Sequence, residues 1–347
     1  MTKVLLTGGS GFIAAHILEQ LLAKGHTVVT TVRSEDKAQN IRDAYPDKAS
    51  SGELKVAIVP DIAQLDAFDE VVKEPGLEVV LHTASPFHFK FKDPKTELID
   101  PAVNGTTGIL KAIARSAPTV RRVVITSSFA AIMDEDKISD PNHTFSEASW
   151  NPVTIDDIHR HPATAYRASK TLAEKAAWDF VKDPANNVKF DLATVNPPMV
   201  FGPVVHHLAS LSSINTSNER IVDLLQGKWK ENGVPPTGAA TIWIDVRDVA
   251  RAHIRAGLEV PEAGGQRLFT TAGTFSNAEI AEKVRKNFPE YADKLPEGDA
   301  LKDGELPPAD KRFKIDNRKT NELLKIEYIS VEQMVVDTVR SLKEHGA

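Results

Sequence analysis

The chain contains no cysteine. That excludes disulfides, thiolate nucleophiles and cysteine-based zinc sites together, and it accords with a reducing compartment. Long apolar runs are also missing: nothing approaches the roughly 18 continuous apolar residues of a membrane span. The opening MTKVLLTGG has no charged-then-apolar leader, so a cytoplasmic location without membrane contact is expected. Nor is there an excess of positive charge. The 48 acidic and 42 basic side chains leave a formal charge of -6, which argues against a nucleic-acid partner and makes any anion site a local one. Internal repeats and low-complexity tracts are absent.

What remains is the composition of an ordinary globular protein, 41% hydrophobic and 26% charged over 347 residues. The first half alternates short apolar runs with helical patterns. Val4 to Leu6, Val28-Val29, Val56 to Val59, Val79 to Leu81, Val123 to Ile125 and Phe190 to Val195 read as strands. Between them, Phe12 to Leu22, Asp36 to Tyr45, Val103 to Ile113 and Ala163 to Val181 read as helices. Continuous apolar strands separated by helices are what a parallel sheet buried on both faces requires. The predicted fold class is α/β, a doubly wound parallel sheet of the Rossmann type with a smaller C-terminal α/β substrate lobe.

Residues 141–162 read as loop, as do 297–310. Beyond Pro197 the rhythm lapses, leaving helices near Glu219 to Leu225, Val246 to Leu258 and Asn277 to Asn287. The expected division is a nucleotide-binding domain over 1–196 and a substrate lobe over 197–347, with some later segments returning to the first domain.

The turn Gly8-Gly9-Ser10-Gly11-Phe12-Ile13-Ala14 lies between the first strand and the first helix. In that context Gly8 permits a sharp exit from the strand and Gly11 lets a pyrophosphate approach the backbone. The helix start supplies unpaired N–H groups, and Ala14 takes the third, packing position. Taken alone, the same residues would serve a turn with no ligand. The end of the second strand bears on the cofactor, because NAD sites place a carboxylate there and NADP sites a cation. Positions 30–34 carry no acid, whereas Arg33 is placed for a 2′-phosphate and Lys37 one helical turn on adds a second cation. NADPH is the expected hydride donor; the alternative is a pair of solvated helix-cap charges.

Tyr166 and Lys170 stand four residues apart in a helical segment and so share a face. A neighbouring ammonium is expected to lower the phenol pKa and make Tyr166 a general acid. Ser128 follows the strand Val123 to Ile125, at the carboxyl edge where doubly wound sheets bind ligands, and its hydroxyl is placed for a substrate oxygen. An isolated Tyr-x-x-x-Lys is common on solvated helices. The combination with Ser128 and the glycine turn carries the weight.

GGSGFIA, TSSFAA and YRASK together resemble the extended short-chain dehydrogenase/reductases over about the first 200 residues. LHTASPF, PAVNG, VVITSSFAAI, SKTLAEKAAWDF, VNPPMVFGP and IDVRDVARAH more narrowly resemble the fungal NADPH-dependent methylglyoxal and 3-methylbutanal reductases over nearly the whole chain, with the plant dihydroflavonol 4-reductases and cinnamoyl-CoA reductases as more distant likenesses. The resemblance implies a triad of Ser128, Tyr166 and Lys170, with Ser128 preferred over Ser127, and Asn104 beside it. It implies cofactor contacts from Gly8 to Ile13, Arg33, Lys37, Asp61, Ile62, Tyr166, Lys170, Pro197, Val200 and Ser217. Arg167 and Ala168 in YRASK, and Trp243 in TIWIDVRD, depart from the pattern.

The expected activity is reduction of an aldehyde or ketone by NADPH. Phe87, Phe129, Met199, Val200 and Trp243 are candidates for an apolar substrate pocket, each equally readable as core. His82, His88, His206 and His207 lack a metal-ligand spacing, so no metal is expected. A nucleotide-sugar epimerase or dehydratase retaining NAD, and a non-catalytic NADP-binding regulator, are the competing functions. A monomer or homodimer is expected.

Overall fold

Alternate residues of each early strand enter different cores. In the computed structural model, which describes residues 1–85, 91–205, 211, 214–238 and 241–346, strand β1 (Lys3–Thr7) sends Val4 and Leu6 to one side and Leu5 to the other, all fully buried. A strand covered on both faces needs apolar residues throughout, the pattern seen in β2 (Thr27–Val32), β4 (Leu77–His82), β5 (Arg122–Thr126) and β7 (Asp191–Val195), with β3 (Leu54–Ile58) beside β2. These strands pair in parallel with β10 (Arg267–Leu268) in the order β10-β7-β5-β4-β1-β2-β3. The doubly wound sheet is therefore present, and its seventh strand comes from late in the chain.

Helices α1 (Phe12–Ala23), α2 (Glu35–Ala44), the short α3 (Pro46–Ser50), α4 (Asp100–Ser116) and α5 (Pro162–Lys182) follow the expected positions. Ile109 and Ile113 of α4 and Trp178 of α5 pack with Leu5, Val80 and Val123 on one face of the sheet. On the other face, α1 lies with α8 (Val246–Ile254), which buries Val249 and Ala252 there. The helix expected over 246–258 changes character at its end, becoming a π turn at Arg255–Glu259.

Residues 141–162 are not all loop: β6 (Thr144–Ser146) pairs in parallel with β12 (Lys314–Asp316). The segment 297–310 forms 3-10 turns at Gly298–Gly304 and Ala309–Lys311. In the second lobe, β8 (Met199–Phe201) pairs with β9 (Ile242–Asp245), which pairs antiparallel with β11 (Gly273–Thr274). Around them lie α6 (Thr216–Leu225), α7 (Lys228–Asn232), α9 (Asn277–Asn287) and α11 (Val331–Lys343), whereas α10 (Arg318–Leu324) packs Leu324 into the core of the larger sheet. Trp229, Phe275 and Met334 fill a core there. Among the described residues no helix is long and apolar enough to cross a membrane.

Candidate functional site

The glycine turn is built by backbone constraint. Gly8 takes a φ of +75°, and a Cβ there would stand 3.0 Å from the Ala84 Cα, so the turn and the end of β4 meet as closely as backbone allows. Gly9 is buried and donates to the Thr31 carbonyl at 2.8 Å, with the Thr30 hydroxyl where its Cβ would be. Its role is packing, and it does not line the groove outside. Gly11 donates to the Gly8 carbonyl at 2.8 Å and precedes α1, whose first turn has neither an acid nor a side-chain cap. The start of α1 thus keeps its unpaired N–H groups and positive dipole end for an anion. Phe12 and Ile13 pack against the sheet core and also stand outside the groove lining.

That groove measures about 520 Å³ and runs across Gly8, Ser10 and Gly11 to Arg33, Lys37, Asp61 and Ile62 on one side of β1 and to Thr83 and Ser85 on the other. Arg33 is exposed and Lys37 half-buried, and neither has an ion-pair partner among the described residues. Burial and the Arg33 charge both push the Lys37 ammonium below its ordinary value, the condition of two cations gathered without a counterion. Two of the acids nearby are committed elsewhere. Glu35 pairs with Arg42, and Asp61 accepts from the Ala63 N–H at 2.9 Å and from Gln64 at 2.8 Å, bonds that hold its carboxyl below the usual range. The donor set suits a dianionic ligand with a further phosphate near Arg33.

Ser128, Tyr166 and Lys170 come together at the carboxyl edge of the sheet. Ser128 caps the 3-10 turn Phe129–Ala131, its Oγ accepting from the Ala130 N–H at 3.1 Å, and its hydroxyl hydrogen-bonds Tyr166. Ser127 turns the other way and donates to the buried Glu174 carboxylate. α5 starts sharply because the His161 ring accepts from the Ala163 N–H at 3.1 Å and Pro162 occupies the first turn. Lys170 donates to the Ser85 hydroxyl at 2.9 Å and stands 5.9 Å from the centroid of the Tyr166 ring.

One expectation is reversed here. Burial pushes the Tyr166 phenol above its ordinary value, opposed by the Ser128 hydrogen bond, whereas Lys170 was expected to lower it. Burial also pushes the Lys170 ammonium down to about 8. Desolvation sets the direction for both groups, and the phenol is held as the neutral acid.

The other predicted residues divide. Pro197 is buried against the turn that carries Ser128, its carbonyl accepting from the Phe129 N–H at 2.9 Å. Val200 is in the sheet core, Met199 packs on the second core, Asn104 is half-buried on α4, and Ser217 stands in the first turn of α6, outside the groove lining. Phe129 and Trp243 are buried in core clusters of the described residues. Phe129 stacks on Phe269 at 5.3 Å in a knot with Phe145 and Phe313, and Trp243 is 3% exposed on β9 beside Met199. Arg167 pairs with Glu135 at 2.6 Å, and Ala168 is fully buried.

His82 is buried and bonded to Thr7 at 2.9 Å, and burial pushes its ring down to about 3. Phe87, His88, His206 and His207 lie outside the described residues. Among those described, no cluster of three potential metal ligands exists. Ser85, Glu174 and Asn196 were not anticipated. Glu174 had a readable signal, an acid four residues after Lys170 on the same helix face.

The model of the NAD dependent epimerase/dehydratase family matches residues 4–269. The chain is 47% identical to the ketoreductase azaE of Aspergillus niger over 99% of its own length and 98% of that protein. It is 38% identical to the NADPH-dependent methylglyoxal reductase GRE2 of Saccharomyces cerevisiae, covering 98% of each. The crystal structure of yeast methylglyoxal/isovaleraldehyde reductase Gre2 complexed with NADPH superimposes with a TM-score of 0.87 at 36% identity over 99% of both chains.

Proposed function

From a chain that belongs to the NAD dependent epimerase/dehydratase family, within the extended short-chain dehydrogenase/reductases, we infer an NADPH-dependent carbonyl reductase that converts aldehydes or ketones to alcohols. One observation carries this reading: the groove that holds the uncompensated Arg33 and Lys37 also reaches Ser85, which takes a hydrogen bond from Lys170. A nucleotide site and an acid site are thereby one continuous site.

Gly8, Ser10, Gly11 and the start of α1 would hold the pyrophosphate, and Arg33 with Lys37 the 2′-phosphate. When bound, NADPH supplies the hydride that the carbonyl carbon receives. Ser128 donates a hydrogen bond to the carbonyl oxygen, and Tyr166, neutral because it is buried, releases its proton to that oxygen as negative charge develops there. Lys170, on the same helix face, supplies positive charge beside the phenolate that remains. An acid with a raised pKa holds its proton at neutral pH, which suits the reducing direction.

Met199, half-buried on β8, is the described candidate for an apolar wall of the substrate pocket. Methylglyoxal, branched aldehydes, aryl ketones and β-keto esters form the panel that tests the class. Loss of nicotinamide absorbance matched mole for mole by alcohol formation is expected with NADPH. Cofactor retained through desalting, with no net NADPH consumption on any member of the panel, would favour an epimerase instead.

A further inference from the structure

Glu174 is 1% exposed on α5, four residues beyond Lys170 and eight beyond Tyr166, so the three side chains share a helix face. Every neighbour of its carboxylate is a donor. Oε1 accepts from Arg267 Nε at 2.6 Å, Thr194 Oγ1 at 3.1 Å and Trp178 Nε1 at 3.2 Å. Oε2 accepts from Asn196 Nδ2 at 2.7 Å and from the Ser127 hydroxyl. The same Asn196 amide donates to the Ser128 carbonyl at 3.3 Å.

A buried ion pair is weak evidence for stability, since apolar groups of matching volume often serve as well. Such a pair fixes geometry more reliably than it adds stability. Here the geometry concerned is that of the reaction: the turn after β5 carries Ser128, α5 carries Tyr166 and Lys170, and Glu174 bonds the first to the second through Ser127 and Asn196. We propose that Glu174 is a positioning residue that sets the Ser128 hydroxyl against the Tyr166 phenol. The proposal rests on the reading of Ser128 as the hydroxyl that binds the carbonyl oxygen.

A glutamine fits this site less well than a carboxylate, because its N–H would face Asn196 Nδ2 on one side or Arg267 Nε and Trp178 Nε1 on the other, all of them donors. Asn196→Ala is the gentler change, removing the bridge to Ser128 while leaving Glu174 paired with Arg267. Both Glu174→Gln and Asn196→Ala are to be measured in the native and the Ser128→Ala backgrounds. The readouts are kcat, KM for the carbonyl and NADPH affinity by fluorescence titration.

A misplaced hydroxyl lowers kcat by about tenfold or more while NADPH affinity stays within about twofold. In the Ser128→Ala background neither substitution should lower kcat further, because the group being positioned is gone. Native kcat in Asn196→Ala, or an equal loss in both backgrounds, overturns the proposal. If Glu174→Gln fails to fold, Asn196→Ala decides alone. Native turnover in Ser128→Ala itself would remove the functional reading of that serine and this proposal with it, whereas a slow Ser128→Ala beside a fast Asn196→Ala removes the proposal only.

Discussion

Lys170 donates to the Ser85 hydroxyl at 2.9 Å, joining α5 to the segment just beyond β4. Ser85 and Arg33 follow the two strands that flank β1, so this bond connects the acid site to the groove on either side of the glycine turn. Carboxyl-edge placement in a parallel sheet brings together residues remote in sequence without any of them leaving its own strand end.

Tyr166→Phe removes the transferable proton while keeping the ring. kcat should fall by about a hundredfold to ten-thousandfold with NADPH affinity retained, measured by turnover and by fluorescence titration. Turnover close to native would exclude Tyr166 as the acid.

Arg33→Ala should lower kcat/KM for NADPH by about tenfold to a hundredfold, the worth of a charge-assisted bond of about 1.5–3 kcal/mol, and leave NADH unaffected. An unchanged ratio of the two cofactors would count against a 2′-phosphate at this position.

Lys170 carries a penalty of its own. Burial lowers its folded pKa to about 8 from 10.5, so the charged form is disfavoured and the cost falls in full on the folded state below pH 8. As pH rises from about 8 to 10.5 the folded protein loses the proton before the unfolded chain does, and the penalty fades. Lys170→Met should therefore melt above the native protein at pH 7, with the gap closing by pH 10, and be inactive at both. Thermal melts across that range check the sign; a gap that widens with pH would contradict the assigned burial effect.

Gly8→Ala places a side chain at a φ of +75° and 3.0 Å from the Ala84 Cα. The left-handed conformation alone costs about 1–2 kcal/mol, and the contact with backbone adds to it. A lower urea midpoint together with weaker NADPH binding is expected; native values for both would show that the turn relaxes freely.

The parallel sheet was legible because its inner strands are buried on both faces and carry short apolar runs. The short strands β8 to β12 were not, since two to four residues offer no period to read. The proximity of Tyr166, Lys170 and Ser128 was legible because helical spacing and a strand end are local signals. Trp243 and Phe129 were ambiguous for a physical reason: an apolar aromatic satisfies a core and a pocket equally, and a sequence does not display neighbours such as Met199 or Phe269. Glu174 was overlooked because its importance lies in five donors drawn largely from distant strands. The direction of the Tyr166 shift likewise depends on burial, which a sequence does not display.

Strand β10 lies against β7, and Arg267 at its start neutralises Glu174. During synthesis the nucleotide-binding sheet therefore waits for residue 268 to leave the ribosome before its last edge closes. Release of the first 196 residues alone would leave β7 as an open edge and Glu174 as a buried charge without its cation. A cut at residue 196 would therefore also strip α8 from the face it shares with α1, and protein engineers seeking to exchange substrate lobes would carry α8 and residues 267–268 with the sheet they complete.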